Sequence, residues 1–133
     1  MADAVQVSDG KLSILGGGLG VIGPRPQQVS VAMRVGVPWD QANTKHQWQL
    51  RLLDEDGELV MIADKPVAVG GEFEAGRPPG AVAGTELWVS LGINFGPLIL
   101  EKGRRYMWRL MVNEQSSDDW TAAFSVRPDQ PSA

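Results

Sequence analysis

Arg105-Tyr106-Met107-Trp108-Arg109-Leu110-Met111-Val112 is the stretch that decides the fold class. Tyr106, Trp108, Leu110 and Val112 fall on one side of its alternation, and Arg105, Met107, Arg109 and Met111 on the other. Successive side chains of a strand project to opposite faces, so such a segment buries one face and shows the other to solvent. The same period recurs outward from it. Leu87, Val89, Leu91, Ile93 and Phe95 keep it upstream, as do Trp48, Leu50 and Leu52 between Gln47, Gln49 and Arg51. Val29, Val31, Met33, Val35 and Val37 keep it earlier still, and Ala122, Phe124 and Val126 keep it near the end. No stretch with apolar residues at i, i+3, i+4 and i+7 interrupts the series, so the chain reads as all-β.

Turn residues punctuate these strands. Asp9-Gly10 between 4–7 and 12–15 marks a tight hairpin, since Asp-Gly supplies the positive φ angles that such a turn needs. Gly16-Gly17-Gly18-Leu19-Gly20 and Pro24-Arg25-Pro26 form a flexible connection, and Pro38 ends the strand over 29–37. Residues 40–45 suit one helical turn with Asp40 as N-cap. Asp54-Glu55-Asp56-Gly57 turns the chain into 58–62, and 66–69 and 72–75 are short strand candidates. The longest loop opens at Gly76-Arg77-Pro78-Pro79-Gly80, and 113–119 is a polar loop. Turn signals every 8–12 residues predict a β-sandwich or a barrel of seven or eight strands, and the reading adopted is an immunoglobulin-like antiparallel β-sandwich. Tyr106 supports a sandwich over a barrel, because a tyrosine opening a late strand often bonds back to the preceding corner. One domain spans 1–127, and 128–133 is expected to be a flexible tail.

Composition narrows the function classes. Hydrophobic residues make up 43% and charged residues 21% of 133, which suits a packed globular domain. The net charge of −4 disfavours phosphate backbones, hence nucleic acid. There is no cysteine, which excludes disulfides and thiolate zinc sites and fits a reducing cytoplasm. The opening residues carry no signal-peptide pattern, and no apolar run is long enough to span a membrane.

The motifs that suggest chemistry have plainer explanations. Gly18-Leu19-Gly20-Val21-Ile22-Gly23 matches a dinucleotide fingerprint, but Pro24 and Pro26 follow where a helix must open. Asp54-Glu55-Asp56-Gly57-Glu58 lacks the ligand offsets of a calcium loop and reads as a polar turn. Glu72 and Glu74 share one strand face, where they read as a charged edge that deters aggregation. His46 is the single histidine, so no multi-histidine metal site can form. Arg104, Arg105 and Arg109 read as a solvated strand face beside Glu101. No catalytic, cofactor or metal residues are assigned.

Five tryptophans in 133 residues point to contact with a ligand or partner. Parity puts Trp48 and Trp108 in the core, Trp88 on an outer face, and Trp39 and Trp120 at strand ends beside loops. Trp88, Met107 and Met111 are therefore the candidate interface, for a homodimer or a protein partner. Trp39 and Trp120 are the candidate ligand contacts, suited to stacking on a sugar or small molecule. The expected function is a non-enzymatic protein-binding or assembly module, with a small-ligand or carbohydrate-binding module as the alternative.

Asp9-Gly10-Lys11-Leu12, Ile14-Leu15-Gly16-Gly17-Gly18, Val37-Pro38-Trp39-Asp40-Gln41-Ala42-Asn43 and Tyr106-x-Trp108-Arg109-Leu110 also carry a resemblance. With Ala2-Asp3, they look like a family of small single-domain bacterial proteins, largely actinobacterial, carried as a domain of unknown function. That resemblance implies a sandwich-like fold and a cytoplasmic location, and it brings no catalytic residues, substrate or cofactor.

Overall fold

A computed structural model describes residues 1–8, 11–15, 17–18 and 20–128. The predicted Asp9-Gly10 turn, Gly16, Leu19 and residues 129–133 of the tail lie outside the described residues. Among those described, eight strands have five or more residues: β1 (Ala4–Ser8), β2 (Lys11–Leu15), β4 (Gln27–Val37), β5 (Lys45–Asp54), β8 (Ala68–Glu74), β9 (Leu87–Leu98), β10 (Arg105–Val112) and β11 (Thr121–Val126). Three two-residue pieces complete them: β3 (Val21–Ile22), β6 (Met61–Ile62) and β7 (Lys65–Pro66). The one helical element among the described residues is a 3-10 turn over Trp39–Gln41.

The strands form two facing layers of unequal width. One is a five-stranded sheet in the order β3-β11-β10-β5-β8, antiparallel except where β3 runs parallel to β11. The other is a two-stranded antiparallel ribbon of β4 and β9. Val29, Val31 and Phe95 of the ribbon pack on Leu50, Leu52, Tyr106, Trp108, Leu110 and Phe124 of the sheet. Trp108, only 1% exposed, lies at the centre, its ring 4.7 Å from that of Phe95. The β1–β2 hairpin adds a small third layer on the ribbon's outer face. A Cβ on Gly92 would lie 3.0 and 3.3 Å from the methyls of Val5 and Val7, so this layer sits close because position 92 has no side chain.

Asn94 ties the hairpin down. Its side-chain amide accepts from the Val5 N–H (3.2 Å) and donates to the Val5 carbonyl (3.1 Å), pairing with β1 as a backbone peptide would. Ser30, fully buried beneath, donates its hydroxyl to Asn94 Oδ1 (2.5 Å).

The all-β reading and the alternation over 105–112 hold, with Tyr106, Trp108 and Leu110 buried. The tyrosine corner is also present, since Tyr106 Oη accepts the N–H of Glu101 at 2.9 Å. The second layer has two strands, with Ala2 bridging to Ser30 on the outer edge of β4. Other expectations change. The pieces at 66–69 and 72–75 are largely one strand, β8, which runs through Gly70-Gly71. Glycine here serves close packing, since a Cβ at 70 would lie 2.8 Å from the Trp48 carbonyl oxygen. The predicted turn over 40–45 begins earlier, and Pro38, with no side-chain hydrogen bond, is its N-cap in place of Asp40. The strand read over 58–62 shrinks to Met61–Ile62, with Leu59 bridging to Leu53.

Candidate functional site

The unequal layers leave an opening. Between β4 and the facing strands β5, β10 and β11 lies a mostly apolar slot of about 180 Å³, with Asp119 and Thr121 as its polar lining. Val31 and Met33 form one wall, Leu50, Trp108, Leu110 and Ala122 the other, and Met1 and Trp120 stand at its ends. Each wall residue is the inward member of its strand's alternation; Val31, Leu50, Trp108 and Leu110 are buried and form the floor, while Met33 and Ala122 are only partly buried and lie nearer the mouth.

Trp120 is held at the mouth by the turn that precedes β11. Its N–H donates to the Ser117 carbonyl and its carbonyl accepts the Leu110 N–H, both at 2.9 Å. Ser116 Oγ donates to the Leu110 carbonyl (2.7 Å) and accepts from Arg109 Nη1 (3.1 Å). The indole is nevertheless 42% exposed. Met1 enters from the other end. Ala2 forms an antiparallel bridge with Ser30 on the β4 edge, its N–H donating to the Ser30 carbonyl (2.7 Å) and its carbonyl accepting the Ser30 N–H (2.9 Å). That pairing turns Met1 inward, where its sulfur accepts the indole N–H of Trp108 at 3.3 Å.

The predicted interface residues are not brought together. Trp88 lies on β9 in the ribbon, whereas Met107 and Met111 lie on β10 in the other sheet. The outer faces of the two layers point away from each other, so the three cannot make one patch. Met107 and Met111 flank Arg109 on the outer face, beside Leu53 and Gln49 in register. Arg109 is not freely solvated as expected, because it is bonded to Ser116 and lies 3.5 Å from Asp118.

Trp39 and Trp120 also lie in different cavities. The structure instead sets Trp39 and Trp88 in neighbouring hollows that share Glu86. Each ring there carries a guanidinium on one face: Arg77 sits 4.3 Å from the centroid of Trp39, and Arg34 sits 4.4 Å from that of Trp88. Arg77 also donates to the Trp39 carbonyl at 2.8 Å. Those faces are taken by the protein's own cations, which counts against their use as stacking platforms for sugar.

Several other polar groups are tied into the fold. Asp54 Oδ1 accepts the N–H groups of Asp56 and Glu58, both at 2.9 Å, in the turn read from Asp54-Glu55-Asp56-Gly57. Glu55 (3.1 Å) and Glu101 (2.9 Å) flank the exposed Arg104 guanidinium and raise its pKa, the hydrogen bond to Glu55 weighing most. His46 is buried at 6% exposure, stacked on Phe73 and bonded to Asn113. Among the described residues, no three His, Asp or Glu side chains gather as metal ligands would.

A family model matches residues 1–124 of the chain. The chain belongs to DUF6941, a family of unknown function. No curated protein matches it. The DUF6941 match ends within β11 but includes Met1 and Trp120, so every residue that lines the slot falls inside it. Among the described residues, no helix is long and apolar enough to cross a membrane.

Sequence reasoning reached Trp108, Leu110 and Trp120 but not the slot itself. The bridge from Ala2 to Ser30 is a single long-range pairing, and no local pattern signals it.

Proposed function

We propose that this DUF6941 chain is a non-enzymatic protein-binding module whose partner covers the slot between β4 and the β10–β11 turn. The single observation that carries this reading is the combination of apolar walls and an exposed tryptophan at one unclosed side of the core. A cavity of about 150 Å³ lined by apolar groups admits a benzene-sized group. The slot is of that order, so it suits one apolar side chain rather than a whole small molecule. Tryptophan and methionine are enriched at protein interfaces, where a rim tryptophan can bury a large area with few rotors. The same proposal includes a bacterial cytoplasmic setting, consistent with a cysteine-free chain of net charge −4.

Photo-crosslinking in native cells tests it. A benzophenone amino acid at Trp120 is expected to trap one discrete protein adduct, while the same group at exposed Glu58 traps none. Indistinguishable patterns from the two positions would remove the slot as a docking site.

A further inference from the structure

We propose that the partner enters as an extended strand, adding to the free edge of β4 alongside Ala32, Arg34 and Gly36 and placing an apolar side chain in the slot. This rests on the protein-binding reading above and names the kind of segment that the slot takes.

The argument begins from Ser30. Both of its backbone groups are used by Ala2 on the outer edge, so Ser30 and its partner Asn94 form a non-hydrogen-bonded pair within the ribbon. Such pairs alternate with hydrogen-bonded ones along an antiparallel ladder. The register continues without interruption through Ala32↔Gly92, Arg34↔Ser90 and Gly36↔Trp88. The N–H and C=O groups of Ala32, Arg34 and Gly36 therefore point the same way as those of Ser30, out of the free edge. Among the described residues, none donates to or accepts from them there.

The chain itself shows what fits. Residues 1–2 already lie on this track, with main-chain bonds from Ala2 to Ser30 and the Met1 side chain turned inward on Trp108. An arriving strand would continue the pattern one position further, with main-chain bonds to Ala32 and a side chain beside Met33 and Trp120. Charge does little to oppose it. Over 29–37 the only charged residue is Arg34, so the edge lacks the dense charges that normally block strand addition. Main-chain pairing would supply affinity and the slot would select the side chain, as in other strand-addition complexes.

A tethered probe tests this on the intact chain. Because Ala2 runs antiparallel to β4, a Thr-Val-Thr-Val-Thr extension placed before Met1 is led directly along Ala32, Arg34 and Gly36. Tethering gives it an effective concentration on the order of millimolar. Hydrogen exchange read by NMR is expected to slow at the Ala32 and Arg34 amides by about tenfold or more relative to a Gly-Ser-Gly-Ser-Gly extension. The free peptide acetyl-Thr-Val-Thr-Leu-Thr-Val-Thr-amide, titrated into the unextended chain, is expected to shift the same amides and the Trp120 indole resonance. A Trp120→Ala variant, which removes an exposed residue, should weaken that shift several-fold. Unchanged exchange with both extensions, together with no shift on titration, would overturn strand addition. If Trp120 still trapped a discrete protein in cells, the partner would then dock on the slot by another geometry. If the amides respond but no adduct forms, the edge pairs with strands while the protein-binding reading of the slot fails.

Discussion

The hydrogen bonds around His46 fix its tautomer. Asn113 Oδ1 accepts the Gln47 N–H at 3.0 Å, and the Asn113 N–H donates to the Gln47 carbonyl at 2.8 Å. With its oxygen thus committed, the Asn113 amide nitrogen, 2.9 Å from His46 Nδ1, donates and the ring nitrogen accepts. The proton of the neutral ring then sits on Nε2, which is buried with no partner among the described residues. Long-range ¹H–¹⁵N correlation spectra should show that tautomer, and a proton on Nδ1 would contradict the assignment. Asn113 has a φ of 50°, a left-handed conformation that glycine also tolerates. Asn113→Gly thus isolates the side-chain bonds, and a loss of about 1–3 kcal/mol in urea melts is expected from leaving their partners unmet. Trp108→Ala should cost about 3–5 kcal/mol through lost burial and a cavity. Arg109→Ala, a half-exposed neighbour on the opposite face, should cost about 1 kcal/mol or less. Equal midpoint shifts for these two variants would refute the register of β10.

At the scale of elements, β8 and β10 show how differently a strand can announce itself. Gly70→Ala should destabilise by about 1–3 kcal/mol, because the added methyl meets the Trp48 backbone, which cannot move aside cheaply. Gly20→Ala meets nothing within 4 Å and serves as the control, with little change expected in the same thermal melts. That contrast also explains what was legible beforehand. β10 alternates because one face is buried and the other is not, so its register is written in its own residues. β8 runs at the edge through two glycines whose reason lies in Trp48 of the neighbouring strand, so its sequence reads as a break. The candidate site divides in the same way. Parity found that Trp88 and the two methionines face outward, but not which sheet each belongs to, because that is set by strand order. The slot depends on the ribbon having only two strands and on residues 1–2 meeting residue 30, neither of which leaves a periodic trace.

Across the whole molecule, the two core clusters are joined through Val35, Trp48 and Val112, so unfolding should be a single cooperative event. Urea transitions followed by tryptophan fluorescence and by far-ultraviolet circular dichroism should coincide, and separated midpoints would show that the hairpin or the ribbon melts independently. The parallel pair of β3 and β11 carries a consequence for the order of assembly. Val21 meets Ser125 across 104 positions of sequence (125 − 21), and Met1 meets Trp108 across 107. Closing such distant contacts is slow, which places this chain among all-β domains that fold in milliseconds to seconds rather than microseconds. A fragment ending at residue 120 lacks the strand that β3 and β10 both require and should remain unfolded, giving no near-ultraviolet dichroism. On the ribosome, the sheet can therefore close only when Val126 has left the exit tunnel. Until then β4 and β9 face an opposing sheet that still lacks β11, the stage of synthesis when a chaperone would be needed most.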